Sequence, residues 1–289
     1  MPALTPILPH HIRTLEARRE STVLVLAASH LDFELLPALY EHCRLLGQAE
    51  RLDVVLQGRG GVVNAARRIA LLLRGHARHL SFIVPFHCQS SATLLTLCAD
   101  EIVAGELALF SPIDPQLGGA DGSTFSGLDI KQFGDMAASW FGLPLEQARS
   151  ESLGLLCNSI FPPSLTAFYR SNLEIEQIGK ELLASRGAGG GGSQDEHIVR
   201  QLMSAYHSHN YALTGNELAA LGLPVRRDAT VEDLAWTIST VLQDTVGGAQ
   251  RASEDAPWID ALLATRHGVQ LRRRHADALA PVWVEGERA

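Results

Sequence analysis

The chain has 289 residues, of which 46% are hydrophobic and 19% are charged, and its formal net charge is -8. This composition predicts a globular protein of one large or two small domains and excludes collagen-like, disulfide-scaffold and wholly disordered chains. The acidic balance argues against nucleic-acid binding as the main function. Only two of the 24 basic residues are lysines, Lys131 and Lys180, so any lysine with a chemical role must be one of these two.

Cysteine usage and the N-terminus indicate the compartment. The chain has no Cys-x-x-Cys pair and no metal-ligand spacing, which predicts reduced, buried thiols and neither metal nor cofactor. The N-terminus has no apolar segment typical of a signal peptide, and the apolar run Val23–Ala28 is far shorter than the roughly 20 residues that span a bilayer. We therefore expect a soluble, cytoplasmic protein, with peripheral membrane association still open. The four cysteines are Cys43, Cys88, Cys98 and Cys157.

The first half of the chain alternates short apolar runs with helical patterns. Residues 1–20 predict an N-terminal arm or short helix. The alternation predicts an α/β fold with a largely parallel sheet and right-handed crossovers, whose ligand sites lie at the carboxyl ends of the strands. The predicted strands are 22–27, 52–56, 80–85, 101–104 and 107–110, and the predicted helices between them are 31–46, 62–74 and 90–98.

The second half is mainly helical by its apolar spacing. Thr214 and Glu217 form a capping-box pattern at the start of one of these helices. We divide the chain into an arm (1–20), a main domain (21–245) that includes a flexible Gly-rich loop at 186–193, and a C-terminal helix with a polar tail (246–289). The predicted helices are 130–141, 144–157, 164–183, 195–205, 214–221 and 231–242.

Two turns at strand ends carry residues that suit catalysis. Gly60 and Gly61 follow a strand and open a helix, which suits backbone N–H groups that bind an oxyanion or a phosphate, or simply a tight turn. Ser90 stands at the next helix start, where a hydroxyl serves either as a nucleophile near the helix dipole or as an N-cap. The glycine fingerprints of nucleotide-binding loops are absent, so nucleotide binding is not favoured.

Four ordered segments closely resemble the Clp-protease/crotonase superfamily, and more specifically the serine dehydrogenase proteinase branch of its signal-peptide-peptidase-A-like group. The resemblance covers roughly residues 20–230. It implies a ClpP/crotonase-like ββα spiral, a serine peptidase activity on peptides or unfolded segments without a cofactor, and assembly into a homo-oligomeric ring. The segments are Asp53-Val-Val-Leu-Gln-Gly-Arg-Gly-Gly61, residues 84–105, Ser111-Pro-Ile-Asp-Pro-Gln-Leu117 and residues 207–225.

The resemblance also implies roles for individual residues. It places the nucleophile at Ser90, and it places the oxyanion donors at Gly60, Gly61 and the backbone N–H of Ser91. Arg59 departs from the proline or serine often found before the two glycines, which leaves the backbone role of the glycines intact.

The base that activates the serine is less clearly marked. Clp proteases use a histidine downstream of the serine, and residues 114–119 contain none. Signal-peptide-peptidase-A-like enzymes use a lysine, and Lys131 lies 41 residues after Ser90. As a base, Lys131 would need a lowered pKa, hence burial without a carboxylate partner, and Asp129 and Asp135 could instead pair with it at the surface.

Other polar residues near these motifs have simpler interpretations. His87 is interpreted as a turn residue, with a role as base as the alternative. His207 and His209 are interpreted as structural or interface residues. Asp114 is expected to cap the turn after its strand and to hold the floor of the cleft.

Three functions follow in order of preference. The first is a serine peptidase that acts through an acyl-enzyme with Ser90 and Lys131. The second is a catalytically weak or inactive oligomeric scaffold or binding protein of the same fold. The third, a crotonase-like acyl-CoA enzyme, ranks last because the chain lacks the corresponding glycine-rich carboxylate motif.

Overall fold

A computed structural model describes residues 4–118, 124–187, 192–247, 253, 255–275 and 282–285. Helices α1–α10 are Leu4–Arg19, Leu35–Leu46, Val63–Gly75, Ser91–Thr96, Gly127–Phe141, Leu145–Ser159, Pro162–Ala184, Ser193–Ser204, Gly215–Ala220 and Ala229–Thr245. Strands β1–β12 are Thr22–Ala28, Ala49–Gly58, Ala77–Val84, His87–Cys88, Glu101–Ala104, Leu109–Phe110, Gln116–Gly118, Thr124–Ser126, Val225–Arg226, Trp258–Thr265, Gly268–Arg274 and Val282–Glu285.

The centre of the molecule is a mixed sheet whose main path runs β12-β11-β10-β1-β2-β3-β5-β9. The strands from β1 to β9 along this path are parallel, and β4 and β6 continue the parallel pairing beyond the end of β2. The predicted α/β class with a mostly parallel sheet is therefore confirmed. Its strands read as continuous apolar runs because helices cover both faces.

Strand β1 shows how the two faces are built. Leu24 and Leu26 point to the core under α2, α3, α4, α7 and α8, whereas Val23 and Val25 point to the opposite core under α1 and α10. Residues 4–19 of the predicted arm are thus a helix that packs on the sheet. Near its C-terminal end, Arg19 donates hydrogen bonds to the buried Asp53 and to Glu101.

The predicted C-terminal helix is contradicted where the structure describes residues 246–289, whereas residues 248–252, 254, 276–281 and 286–289 of that segment lie outside the described residues. Residues 258–274 form the antiparallel hairpin β10–β11, which extends the sheet beyond β1, and β12 pairs with β11. The run Arg272-Arg-Arg-His275 suggested a solvated helix. In the structure Arg272 is fully buried because Asp260 and Asp32 bind its guanidinium.

Other predictions have mixed outcomes. The capping box of Thr214 and Glu217 is present at the start of α9, as predicted. Burial of the cysteines holds for Cys43, Cys88 and Cys98, whereas Cys157 is exposed on α6, which projects beside α5 away from the sheet. Half of the Gly-rich loop, residues 188–191, lies outside the described residues. In the described part of the chain, no helix combines the length and apolar content needed to cross a lipid bilayer.

Candidate active site

Ser90 stands at a strained turn between β4 and α4. Its backbone has φ +53° and ψ -123°, a conformation that residues with a side chain rarely adopt. The turn is fixed on both sides, since the Ser90 N–H donates to Ser111 Oγ at 2.7 Å and the Ala92 N–H donates to the Gln89 carbonyl at 2.9 Å. Strain of this kind persists only where the surroundings enforce it, and it recurs at turns that expose a nucleophile.

The glycine turn lies directly against Ser90. A Cβ on Gly60 would lie 2.8 Å from Ser90 Cβ and 3.2 Å from its Oγ, and a Cβ on Gly61 would lie 2.3 Å from the Leu31 carbonyl oxygen. Both glycines have positive φ, +103° and +149°. Leu31 fixes the turn, because its N–H donates to the Gly60 carbonyl and its carbonyl accepts from the Val62 N–H. A side chain at Gly61 would therefore collide with backbone.

Three backbone donors near Ser90 are free. Among the described residues, no hydrogen-bond acceptor takes the N–H of Gly60, Gly61 or Ser91. Ser91 itself is buried, and its hydroxyl also has no partner there. The structure thus brings together the four residues Gly60, Gly61, Ser90 and Ser91, with unused donors beside the Ser90 hydroxyl.

A cavity of about 150 Å³ lies beside Ser90 and ends at the first turns of α3 and α4. Its far wall comes from α7 and from the segment that follows β6. The cavity is small enough to hold one side chain of moderate size. Its lining residues are Gly61, Val63, Ser90, Ser91, Leu94, Ile113, Asp114, Pro115, Gln116, Ser171, Glu174 and Ile175.

Asp114 forms the polar floor of this cavity, as the sequence predicts. Its buried carboxylate lies 2.8 Å from His209 Nδ1 and accepts hydrogen bonds from Ser126 Oγ and Gln116 Nε2. Burial alone would raise the pKa of Asp114, but the hydrogen bonds from His209 and Ser126 outweigh burial and lower it. His209 therefore holds Asp114 in place, a contact between residues 95 positions apart that no local sequence pattern marks.

Lys131 lies outside the Ser90 cavity. It is exposed on α5 and lines a neighbouring pocket of about 520 Å³ between α5, α7 and α8. The acids that flank it in sequence are engaged elsewhere, since Asp129 completes the capping box of Ser126 and Asp135 pairs with Arg149. The structure therefore brings Lys131 neither to Ser90 nor to a carboxylate of its own helix.

The other candidate residues, Lys180, His87 and His207, do not line the Ser90 cavity. Lys180 forms ion pairs with Glu176 at 2.7 Å and Glu196 at 3.3 Å. His87 contacts Arg59 and stacks on Phe86, in a second cleft on the other side of the Ser90 turn. His207 is exposed.

A glycine turn and a strained serine thus lie together at the carboxyl ends of the parallel strands, an arrangement that exposes a nucleophile beside backbone donors. Residues 10–132 match the family of ClpP-like SDH-type serine proteinases. Over this part, which is less than half of the chain, the chain is similar to the ClpP-like SDH-type serine proteinases, in agreement with the resemblance in sequence.

Two relatives from Methanocaldococcus jannaschii are similar over much of the chain. The uncharacterized protein MJ0137 is 26% identical over 195 residues, and the uncharacterized protein MJ1495 is 26% identical over 182 residues. The alignments cover 68% and 63% of this chain but 59% and 54% of the relatives. The chain therefore spans less than two thirds of their length.

Solved structures with a similar outline include two variants of a membrane-bound stomatin-specific protease, 1510-N. Its lysine-to-alanine variant in complex with a substrate peptide has a TM-score of 0.41 and 15% identity, with 70% of this chain and 73% of that chain covered. Its serine-to-alanine variant has a TM-score of 0.42 and 15% identity, with 70% and 77% covered.

Proposed function

We propose that this protein is a serine peptidase that cleaves peptides or unfolded segments through an acyl-enzyme. The observation that carries the proposal is the strained Ser90 turn, set against a glycine turn with free N–H groups, inside the segment that matches a serine proteinase family. Ser90 Oγ attacks the peptide carbonyl while the base takes the hydroxyl proton, and the C–N bond then breaks as the base returns that proton to the leaving amine. Water afterwards hydrolyses the acyl-enzyme ester and frees Ser90. The small cavity beside Ser90 favours a substrate side chain of modest size.

The oxyanion of the tetrahedral intermediate would be bound by the N–H groups of Gly60, Gly61 and Ser91. Donors that already lie in place stabilise the developing charge without reorganisation, and the loss of one such donor commonly slows catalysis by about 10²–10³-fold. The two hydrogen bonds to Leu31, one accepted by the Gly60 carbonyl and one donated by the Val62 N–H, support this role because they fix the orientation of the turn.

For the base we propose Lys131. Of the two lysines, it is the one that forms no ion pair within the described residues. Its helix begins close to the Ser90 cavity, since a Cβ on Gly127 would lie 3.2 Å from Pro115, which lines that cavity. The proposal requires α5 to move relative to Pro115 when substrate binds, so that the Lys131 side chain leaves solvent and reaches Ser90.

The decisive experiment combines a fluorophosphonate probe with a casein-type substrate. Wild-type protein should be labelled and should cleave casein, and Ser90→Ala should do neither. Lys131→Ala should lower both rates by about 10²-fold or more, as expected for loss of a general base, while the control Lys180→Ala should leave them unchanged. Labelling of Ser90→Ala equal to that of wild type would contradict the nucleophile assignment.

His209→Gln belongs in the same experiment because His209 is bonded to Asp114 in the wall of the Ser90 cavity. If Lys131→Ala keeps full activity and His209→Gln loses it, the base is His209 oriented by Asp114, in the manner of a serine–histidine–aspartate triad.

We also propose that the protein assembles into a homo-oligomer. Helix α5 and the connection between α6 and α7 expose large apolar side chains, among them Trp140, Phe141 and Phe161, each more than 70% accessible. Apolar surface of this extent commonly marks an interaction site.

The second candidate is an oligomeric scaffold of the same fold without catalysis. It is favoured by one observation, the position of Lys131 outside the Ser90 cavity. Absence of fluorophosphonate labelling in the wild-type protein, together with a stable oligomer by light scattering, would support it over the peptidase.

A further inference from the structure

A second cleft of about 340 Å³ opens at the carboxyl ends of β1 and β2, on the other side of the Ser90 turn. We call it the β1–β2 cleft. It shares no lining residue with the Ser90 cavity, yet Arg59 directly precedes Gly60 and His87 lies three positions before Ser90. The cleft is lined by Ala27, Ala28, Ser29, Gln57, Gly58, Arg59, Phe86, His87, Gln243, Val246 and Gly247.

Among the described residues, no carboxylate neutralises the positive charge in this cleft. Arg59 is the single charged residue among the lining residues, and its partner in the described structure is His87, with 3.2 Å between Nη2 and Nε2. Burial and the nearby Arg59 charge lower the pKa of His87. His87 is therefore neutral at pH 7, so that its Nε2 accepts a hydrogen bond from Arg59 while the guanidinium keeps its full charge and its other donors.

In this respect Arg59 differs from several other arginines of the chain, whose net charge is -8. Several arginines on the sheet and its helices bind carboxylates, as Arg51 binds Glu101, Arg67 binds Glu181 and Arg74 binds Asp100. A guanidinium whose partner is a neutral imidazole can still donate hydrogen bonds to the carboxylate of a ligand.

A second donor in the cleft is oriented by buried contacts. Gln57 is nine-tenths buried, and its Oε1 accepts a hydrogen bond from Ser239 Oγ at 2.7 Å. Ser239 is held in turn by Gln243, whose Nε2 donates to its hydroxyl. The carbonyl end of the Gln57 amide is thus occupied. Its Nε2 group has no acceptor among the described residues and is not sealed from solvent, so it faces the cleft.

We propose that the β1–β2 cleft is a subsite that binds a carboxylate of the peptide substrate, through the Arg59 guanidinium and the Gln57 amide. This inference rests on the proposed peptidase function. A planar guanidinium and an amide N–H both donate hydrogen bonds, and a carboxylate accepts from both. No acidic residue among the described lining residues competes for them. The carboxylate belongs either to the C-terminus of the substrate or to an aspartate or glutamate side chain beside the scissile bond.

Peptide binding to the full chain with Ser90→Ala tests the subsite without turnover. Three fluorescein-labelled octapeptides differ only in charge: one has a central glutamate and an amidated C-terminus, one has glutamine and an amidated C-terminus, and one has glutamine and a free C-terminal carboxylate. Fluorescence anisotropy should give about fivefold tighter binding for at least one acidic peptide than for the neutral one. Which of the two binds tightly identifies the source of the carboxylate.

Arg59→Gln in the same background should abolish this preference. The control Arg78→Gln should keep it, because Arg78 is exposed and pairs with Glu50 away from the cleft. Equal affinity for the three peptides, absence of binding, or a preference that survives Arg59→Gln would overturn the inference. Fluorophosphonate labelling of wild-type protein is independent of these outcomes and reports on the proposed function separately.

Discussion

At the scale of single residues, the site depends on backbone conformations that few side chains tolerate. Gly60, Gly61 and Ser90 all have positive φ, and the two glycines have no room for a Cβ. These residues could be predicted because such turns leave a local signal: glycines after a strand and a serine before a helix. The base left no equivalent signal, since its position depends on where a whole helix packs.

Gly61→Ala tests this turn directly. The new Cβ would overlap the Leu31 backbone at 2.3–2.4 Å, and the positive φ adds strain. We expect the free energy of unfolding to fall by about 3 kcal/mol and fluorophosphonate labelling of Ser90 to be lost. Thermal unfolding and labelling measure the two effects.

Gly142→Ala is the matched control for this substitution. Gly142 has φ +69° with nothing within 4 Å of its Cβ position, so this variant carries the dihedral strain without the collision. It should lose only about 1 kcal/mol and keep its labelling. Equal losses of unfolding free energy in both variants would show that dihedral strain alone, and not the contact with Leu31, accounts for the effect of Gly61→Ala.

At the scale of elements, an ion-pair cluster at the amino ends of the parallel strands joins α1, β2, β5 and β9. Glu101 accepts hydrogen bonds from Arg19, Arg51 and Arg226, and Arg19 also binds Asp53. Burial alone would raise the pKa of Glu101, but hydrogen bonds from Arg19 and Arg226 and the charges of Arg19 and Arg51 lower it to about 2.

Glu101→Gln should therefore destabilise the protein in a pH-dependent way. Because the folded pKa is depressed, the stabilisation is fully present above the unfolded value near 4.5 and is lost as the pH falls to about 2. We expect the variant to lose about 2 kcal/mol at pH 7, after allowance for solvent screening, and to converge with wild type near pH 2. Urea unfolding at several pH values measures this difference.

The exposed pair of Glu50 and Arg78 supplies the control. Glu50→Gln should change the unfolding free energy by less than about 0.5 kcal/mol at any of these pH values. A constant difference between Glu101→Gln and wild type from pH 7 to pH 2 would contradict the assignment of the low pKa to this cluster.

The strands that were predicted correctly are those whose burial produces a continuous apolar run in the local sequence. β1, β2 and β3 are continuous apolar runs because both of their faces are covered. The hairpin β10–β11 was missed because its largest fully buried side chain is an arginine. Only the fold supplies Asp32 and Asp260, which neutralise Arg272, so a run of three arginines looks solvent-exposed when it is read alone.

At the scale of the whole molecule, this hairpin is connected to the candidate site. Arg272 binds Asp260 across the hairpin, and it also binds Asp32 at 2.6 Å and the His30 carbonyl at 3.4 Å. His30 and Asp32 flank Leu31, the residue that fixes the Gly60–Gly61 turn through two backbone hydrogen bonds. The C-terminal hairpin, which lies outside the residues matched by the family, thus braces the glycine turn.

Asp260→Asn should weaken both the fold and the site. It removes one of the two carboxylates that compensate a fully buried guanidinium, and breaking such a pair typically costs about 3 kcal/mol or more. The freed Arg272 would pull on Asp32 and displace Leu31, so the rate of fluorophosphonate labelling per folded molecule should also fall.

The control is Asp233→Asn, which removes one exposed acidic charge and should change neither the stability nor the labelling rate. If Asp260→Asn is destabilised but its folded fraction is labelled at the wild-type rate, the hairpin supports the sheet without positioning the glycine turn.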